Sequence, residues 1–363
     1  MEPTLNPAQI PEEAKKLLDQ NAQYAKILMD SYKRTPEEIE ALKKTLKICP
    51  TPREVIHQEC SVKVYRFTPV RKDLHPVPLF IVPSLILRWY ILDLITGHSL
   101  IEHFVKSGID TYLIDWGFPG DEHGQLTFDY YIDNFLGRAI RKVMRRTGAT
   151  QIDLMGQCLG GTIAAAYTSL HQEHIRRFIA LTTPVDFENA GLLSIWTDKS
   201  RFNVDKIIEY YGNTVPAEFI HGCFQFLDVK ATVERYKKLY NNVLDNNFLY
   251  YYQALDLWST DKVPFAGKVF GKFIKGLYQE NGLVNKTFEV NGRYVDLAKI
   301  TCPVLNIAAA FDHVFPERSA KRLNDLVSGP AQYHLMQTGH VTLVVLFPDR
   351  LKTYELMTDF LKN

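Results

Sequence analysis

The sequence predicts an α/β fold: a mostly parallel β-sheet with helices on both faces, interrupted by a helical insertion. Short apolar runs alternate with helical stretches between residues 54 and 183, which is typical of parallel strands joined by crossover helices. The alternation stops between residues 184 and 295, where the sequence is aromatic-rich and interrupted by proline and glycine, and then resumes. We therefore expect one α/β domain with an insertion and not two successive domains.

The chain is predicted to have three parts. Residues 1–50 form an N-terminal helical segment, residues 51–183 and 296–363 form the α/β core, and residues 184–295 form a helical cap, or lid. The cap has a second interpretation, as a packed helical subdomain, and the two interpretations are compatible. An insertion of this kind can cover a site on the core and control access to it.

Two positions in the N-terminal segment are typical of helix starts. Pro11 and Pro36 each begin a stretch in which glutamates follow at once, and both residue types are favoured in the first turn of a helix. A sparse apolar stripe lies within residues 10–28. It predicts either a surface that packs on the core or a surface that docks a partner.

The strands of the core are predicted from apolar runs. Pro78–Val82 is a continuous run that is typical of a buried central strand, whereas Val62–Phe67 alternates like an edge strand. Further strands are expected at residues 111–115, 151–155, 175–181, 302–309 and 332–336, with helices at residues 99–107, 128–147, 160–170, 319–327 and 349–361.

Composition excludes several classes of protein. The 42 basic and 41 acidic residues leave a net charge of +1, so neither a nucleic acid nor an anionic membrane is expected as a partner. The longest apolar run, Val77–Leu87, is too short to span a bilayer. The polar start of the chain predicts no secretory signal, so we expect a cytoplasmic protein.

The chain has five cysteines: Cys49, Cys60, Cys158, Cys223 and Cys302. They form no Cys-x-x-Cys pair, so neither a disulfide framework nor a metal site is expected.

A nucleophile is predicted at Cys158. The segment Gly156–Gly161 reads Gly-Gln-Cys-Leu-Gly-Gly and lies between a predicted strand and an alanine-rich predicted helix. This is the nucleophile elbow of the α/β-hydrolase fold with cysteine in the place of serine. The start of the helix favours a thiolate. The alternative is that Cys158 is a small buried residue beside a tight turn.

The acid and the base follow in the chain order that this fold uses. Asp312 comes directly after the predicted strand 302–309, and His340 lies on the loop after the next strand. Asp312 has a second interpretation as a turn or helix-capping residue, and His340 as a surface histidine. His313 competes for the role of base, but its place beside the acid suits a supporting role better.

Backbone amides are expected to form an oxyanion hole beside Cys158. The amide of Leu159 follows the nucleophile, and the loop after the strand Pro78–Val82 supplies a second amide in this fold. Leu85 and Ile86 are the candidates for that second amide. The alternative is that this loop is an ordinary turn at the end of a strand.

Taken together, these residues resemble the polyhydroxyalkanoate synthases, from about residue 54 to the C-terminus. The resemblance implies Cys158 as nucleophile, Asp312 as acid and His340 as base, and Asp93 is expected to support them. The resemblance to this family rests on six motifs that share its pattern: Gly156–Gly161, Arg88–Leu94, Tyr112–Gly117, Thr183–Phe187, Phe311–His313 and Gly339–His340.

The resemblance also implies an activity and partners. Synthases of this family polymerise (R)-3-hydroxyacyl-CoA, here expected to be short-chain 3-hydroxybutyryl-CoA, into polyester and release CoA, with a cysteine thioester as intermediate and without a cofactor. The short N-terminal segment is similar to the two-subunit synthases of class III and class IV, which need an E-type or R-type second subunit. A homo-oligomer at the surface of a polyester granule is expected.

Two other functions stay open from the sequence. One is a cysteine thioesterase or hydrolase of the same fold, which would release CoA without polymer. The other is a non-catalytic scaffold associated with granules, which would need a broken triad, and none of the three predicted positions is broken.

Overall fold

A computed structural model describes residues 35–227, 237–242, 245–345 and 350–363. Eight strands form one sheet in the order β1-β2-β4-β3-β5-β6-β7-β8. The three strands at one side pair antiparallel (β1 with β2, and β2 with β4), and the remaining pairs are parallel. The strands are β1 (Arg53–Glu59), β2 (Val62–Phe67), β3 (Leu79–Val82), β4 (Thr111–Asp115), β5 (Ile152–Gln157), β6 (Ile175–Leu181), β7 (Val304–Ala309) and β8 (Ala331–Met336).

The described helices join these strands and fill the insertion. The α-helices are α1 (Pro36–Thr45), α2 (Leu100–Lys106), α3 (Gly137–Thr147), α4 (Leu159–Leu170), α5 (Leu192–Trp196), α6 (Val204–Tyr211), α7 (Ala217–Leu227), α8 (Asn246–Thr260), α9 (Gly267–Lys272), α10 (Gly282–Asn285), α11 (Glu317–Leu326), α12 (Thr342–Val345) and α13 (Arg350–Lys362). Residues 237–241 are helical as well. Tyr130–Leu136 and Phe273–Gln279 are π-helical, and single 3-10 turns lie at Trp89–Leu92, Asp121–His123, Gln172–His174 and Leu297–Lys299.

The predicted α/β-hydrolase core is confirmed, with one strand assigned wrongly. All four residues of β3 are fully buried, as its continuous apolar run predicted. The expectation that Val62–Phe67 is an edge strand was wrong, because β1 pairs with its outer side. β1 was not predicted from the sequence, because the strand is mostly exposed, carries charges and has no apolar alternation.

The predicted cap contains short strand pairs besides its helices. Thr214–Val215 pairs with Phe265–Ala266, and Glu289–Val290 pairs with Arg293–Tyr294. A third short pair, Asp93–Ile95 with His98–Ser99, lies outside the cap and precedes α2. These short strand pairs stabilise connections between helices, and the sequence did not predict them.

The chain divides into two compact units. The larger unit, Cys49–Asp228 with Lys262–Asn363, contains the sheet. The smaller unit joins the N-terminal segment up to Ile48 to residues 229–261. This grouping differs from the boundaries expected from the sequence, which remain a prediction.

In the described part of the smaller unit, α1 begins as the sequence predicted. The Thr35 hydroxyl accepts a hydrogen bond from the amide of Glu38 at 3.3 Å, and the Glu38 carboxylate accepts one from the amide of Thr35 at 2.7 Å. This reciprocal pair is a capping box. The expected helix at Pro11 and the apolar stripe in residues 10–28 lie outside the described residues.

The carboxyl ends of the parallel strands meet at one edge of the sheet. Val82 of β3 pairs with Gly156 of β5, and Gln157 pairs with Leu181 of β6. Ala309 of β7 and Met336 of β8 pair with each other. The predicted nucleophile, acid and base follow β5, β7 and β8, so the topology brings all three to this edge.

None of the helices within the described residues combines the length and the apolar character that a bilayer span requires.

Candidate active site

The strand, turn and helix predicted around Cys158 are present. β5 ends at Gln157 and α4 begins at Leu159, and Cys158 between them has φ 56° and ψ −130°. A positive φ is unfavourable for any residue with a side chain, so it persists only where the surrounding structure enforces it. The side chain is held at the end of the strand and is 4% exposed.

Glycines on both sides of Cys158 allow this turn. A Cβ atom at Gly156 would overlap the backbone of Gly161, and one at Gly160 would overlap the carbonyl oxygens of Val82 and Pro83. These obstacles are backbone atoms, which cannot move away cheaply. The Gly-x-Cys-x-Gly pattern is therefore required by the close approach of α4 to β5 and to the loop after β3.

The predicted base and acid are in direct contact. His340 Nδ1 lies 2.5 Å from Asp312 Oδ2, and both residues are buried. The other carboxylate oxygen of Asp312 accepts hydrogen bonds from the amides of Val314 at 2.9 Å and Phe315 at 2.8 Å. Both oxygens are thus occupied, which fixes the carboxylate and, through it, the orientation of the imidazole.

The electrostatics of the site favour a charged imidazole. Burial by itself would lower the pKa of His340, but the negative charges of Asp312 and Cys158, together with hydrogen bonds to both, raise it well above its ordinary value. The predicted nucleophile and base therefore influence each other electrostatically. A thiolate beside an imidazolium is the reactive form of a cysteine nucleophile.

The predicted oxyanion residues lie around the elbow. Leu159 is the first residue of α4, where an amide has no acceptor within the helix. Leu85 and Ile86 are buried in the segment after β3, and the Trp116 indole nitrogen donates to the Pro83 carbonyl oxygen at 2.9 Å and so anchors that segment. The choice between Leu85 and Ile86 for the second amide stays a prediction.

The two supporting residues differ in position. His313 is exposed on the turn after β7, while His340 is buried against Asp312, so the geometry favours His340 as base. Asp93 is fully buried and accepts hydrogen bonds from Thr51 at 2.8 Å and Ser99 at 2.6 Å. Those contacts hold its own segment in place, and no hydrogen bond described for Asp93 reaches the triad.

An apolar cavity of about 90 Å3 lies beside the elbow. Its wall includes Leu159, which adjoins Cys158, and Phe315, whose ring centroid lies 6.0 Å from that of His340. The remaining lining residues are mostly large apolar side chains of the predicted cap: Ile86, Leu193, Trp196, Thr197, Phe202, Phe219, Ile220, Cys223, Phe224, Phe265, Phe270, Phe273, Ile274 and Tyr278. The aromatic composition of residues 184–295 was the signal for such a cavity, but it could not identify individual residues.

One group of metal-ligating side chains is found within the described ranges. Nitrogen atoms of His171 and His174 lie 3.6 Å and 3.8 Å from a Glu173 carboxylate oxygen. His171 also pairs with Asp133, and His174 pairs with Tyr167. The group precedes β6 and is therefore at the opposite end of the strands from Cys158. It takes no part in the chemistry of the triad.

Comparison with known proteins identifies the family. A family model described as "alpha/beta hydrolase fold" matches residues 78–345. A second model, "Poly-beta-hydroxybutyrate polymerase (PhaC) N-terminus", matches residues 19–104. The poly(3-hydroxyalkanoate) polymerase subunit PhaC of Allochromatium vinosum is 32% identical over 81% of this chain and 84% of the relative. The chain belongs to the PhaC family of polymerases.

Other relatives agree with this family. The PhaC subunit of Synechocystis sp. is 31% identical over 81% of this chain and 80% of its own length. The PhaC subunit of Haloferax mediterranei is 32% identical over 81% of this chain, which spans 60% of that longer protein. Among solved structures, a monoacylglycerol lipase of Paleococcus ferrophilus has a TM-score of 0.50 at 13% identity, covering 79% of this chain and 95% of the lipase. That likeness concerns the fold alone.

The strain at Cys158 can be measured by comparing two variants. At an ordinary position in a helix or strand, a variant with glycine is less stable than one with alanine by about 0.5–1 kcal/mol. At φ 56° and ψ −130° the order should reverse, because glycine has no Cβ to strain. We expect Cys158→Gly to have a free energy of unfolding about 1 kcal/mol higher than Cys158→Ala in urea denaturation. A glycine variant less stable than the alanine variant would show that the turn is unstrained.

The raised pKa of His340 predicts a pH dependence of stability. Protonated His340 is stabilised in the folded chain, so this contribution is complete below about pH 6.5, the ordinary histidine value, and is lost as the pH rises through the raised pKa. We expect the stability advantage of wild type over His340→Gln, measured by urea denaturation, to shrink as the pH rises above about 6.5.

The control for this measurement is His313→Gln. This substitution removes the exposed neighbour of Asp312 and leaves the buried pair intact, so it should keep the wild-type trend. An advantage over His340→Gln that does not change with pH would contradict the assignment of the charged imidazole.

Proposed function

We propose that this chain is the catalytic subunit of a polyhydroxyalkanoate synthase that joins 3-hydroxyacyl units from CoA thioesters into a polyester. Membership of the PhaC family supports the substrate class, and relatives of the chain are named poly(3-hydroxyalkanoate) polymerases. The observation that carries the proposal is the predicted triad of Cys158, His340 and Asp312. Cys158 lies on a strained nucleophile elbow, and His340 Nδ1 lies 2.5 Å from Asp312 Oδ2.

The first half-reaction loads the enzyme. The Cys158 thiolate attacks the thioester carbonyl, the bond to CoA sulfur breaks, and the departing CoA thiolate takes the proton that His340 carries. Backbone amides at Leu159 and at Leu85 or Ile86 stabilise the oxyanion that forms in between. One thioester replaces another, so the exchange is nearly balanced in free energy. A cysteine nucleophile suits this step for that reason.

The second half-reaction forms the ester. The 3-hydroxyl group of another acyl unit gives its proton to His340, which is neutral once CoA has left with a proton. The resulting alkoxide attacks the acyl carbon on Cys158, and the carbon–sulfur bond breaks to regenerate the thiolate and the imidazolium. Asp312 keeps the imidazole in the correct tautomer through both steps. These steps use side chains and backbone alone, without a cofactor.

Burial of the site favours ester formation over hydrolysis. Cys158 and His340 are each 4% exposed, and the cavity beside them is apolar. Water that reached the thioester would release the acyl unit and end the chain. The predicted cap therefore must exclude water and also open for a CoA thioester, so we propose that residues 184–295 act as a lid.

The size of the same cavity limits the length of the acyl group. A space of about 90 Å3 bounded by aromatic rings suits a short acyl group better than a long one. We therefore propose 3-hydroxybutyryl-CoA as substrate. A thioesterase of the same fold is the second candidate, because an identical triad would transfer the acyl group from Cys158 to water, giving a free acid, if the cavity admitted water.

Incubation of the purified chain with 3-hydroxybutyryl-CoA, with and without candidate partner subunits, tests the proposal. Wild type should release CoA and form polymer, and Cys158→Ala should lower CoA release by about a thousand-fold or more. The matched control is Cys60→Ala, which removes an exposed cysteine outside the elbow and should keep wild-type activity. CoA release without polymer would identify a thioesterase, and neither product a scaffold.

We further infer that the chain works with a second subunit of the E or R type, as a homo-oligomeric assembly at the granule surface. Several relatives are named as polymerase subunits, and a partner can shift a lid toward the conformation that it binds better. The class III or class IV partner would bind the open form better.

The partner can be tested with the same assay. We expect the isolated chain to be slow, and addition of an E-type or R-type subunit to raise its rate of CoA release by about ten-fold or more. A serum albumin addition at equal mass controls for non-specific stabilisation. Full activity of the chain alone, without lag or gain, would contradict the two-subunit assignment.

A further inference from the structure

One tyrosine in the wall of the cavity beside the predicted triad has no assigned role. Tyr278 lines the apolar cavity, and its ring packs edge-on against Phe187 at 4.8 Å and Phe273 at 5.5 Å between centroids. These contacts fix the position of the phenol. Within the described part of the chain, no protein group hydrogen-bonds to its hydroxyl, whereas the hydroxyl of the other lining alcohol, Thr197, donates to the Leu193 carbonyl oxygen at 2.7 Å.

A hydroxyl in so apolar a wall calls for an explanation, since polar groups in apolar surroundings are nearly always hydrogen-bonded to protein or to a molecule that enters beside them. Phenylalanine would fill the same space without placing a polar atom in the wall. The hydroxyl is therefore expected to bind something that enters the cavity.

The position of Tyr278 links it to the nucleophile. Burial, and after it the negative charge of Cys158, raise the pKa of the Tyr278 phenol well above its ordinary value. The phenol therefore stays neutral and keeps its proton, as a hydrogen-bond donor must. Leu159 and Phe315 share the same cavity wall, and they flank Cys158 and His340.

We propose that Tyr278 donates a hydrogen bond to the oxygen at C3 of the acyl group held on Cys158, and so selects 3-hydroxyacyl units over acyl units that lack this oxygen. The inference rests on the proposed function. In the first acyl unit the oxygen at C3 is a hydroxyl, and in a growing chain it is an ester oxygen. A donor can bind both forms, whereas an acceptor could bind the hydroxyl alone.

The thioester carbonyl is a weaker choice for the partner of Tyr278. The elbow already offers the Leu159 amide to that oxygen, and the loop after β3 offers a second one. The acyl chain extends from the carbonyl carbon into the cavity, which is where its C3 oxygen would otherwise lack a partner. A site built to hydrogen-bond a substrate hydroxyl rejects an analogue without it far more strongly than an apolar pocket can.

The test compares acylation of Cys158 by 3-hydroxybutyryl-CoA and by butyryl-CoA, which differ only in the oxygen at C3. The rate of acylation is followed by CoA release in a single turnover and by the intact mass of the protein. We expect Tyr278→Phe to lose about ten-fold or more with 3-hydroxybutyryl-CoA and less than about three-fold with butyryl-CoA.

The matched control is Tyr131→Phe. Tyr131 is also a buried tyrosine, but it packs on Trp116 and Phe135 and does not line the cavity, so this variant should acylate with both thioesters as wild type does. Butyryl-CoA also serves as the test that Tyr278→Phe retains a folded site and a working nucleophile.

Two results would overturn the proposal. Equal slowing with both thioesters would mean that the hydroxyl acts on the thioester group or on the structure of the site. Unchanged rates with both would mean that the hydroxyl has no role in acylation. The proposed function fails in a different way. In that case wild type itself would gain no acyl mass on Cys158 from 3-hydroxybutyryl-CoA.

Discussion

The site depends on one backbone constraint, the positive φ of Cys158. A residue in that conformation projects its side chain out of the strand end, and the helix that follows must turn back at once. The turn is possible because Gly160 lies against the carbonyl oxygens of Val82 and Pro83, and Gly156 against the backbone of Gly161. The same approach brings the loop after β3 beside the start of α4, where the two oxyanion amides are predicted. The geometry of the predicted nucleophile and that of the predicted oxyanion hole would then have a common origin.

The charges at this edge of the sheet would be costly if they were separated. Asp312 and His340 are buried, and an isolated buried charge is strongly unfavourable. The carboxylate is compensated by the imidazolium and by two backbone amides. Cys158 completes the row from the other side, which is why the pKa of His340 is raised in spite of burial. The buried charges of Asp312 and His340 are thus compensated by each other and by backbone amides, and a site so little exposed would need the proposed lid to open for a substrate.

Much of this could be predicted from the sequence, for identifiable reasons. Buried parallel strands are continuous apolar runs, so β3 and β6 were predicted almost to the residue. The order of Cys158, Asp312 and His340 along the chain follows from the order of β5, β7 and β8. By contrast, β1 has no apolar pattern because it lies at the exposed edge, and the contacts of Asp93 depend on a distant residue, Thr51. Tyr278 could not be singled out, because the pattern of the insertion does not show which of its many aromatic side chains faces the cavity.

The triad alone does not separate a polymerase from a hydrolase. In both, a base activates an oxygen nucleophile against an acyl-enzyme, and the difference lies in whether that oxygen belongs to water or to a second substrate. An apolar wall lowers the chance that water occupies the attacking position, but it also gives a hydroxyl-bearing acyl chain few partners. A hydrogen-bond donor such as Tyr278 set within the apolar wall would meet both demands, because it binds an oxygen fixed to the substrate without creating a path for solvent. The determinants of transfer over hydrolysis are then to be sought in the lining of the cavity, while the elbow and the triad supply the chemistry that both reactions share.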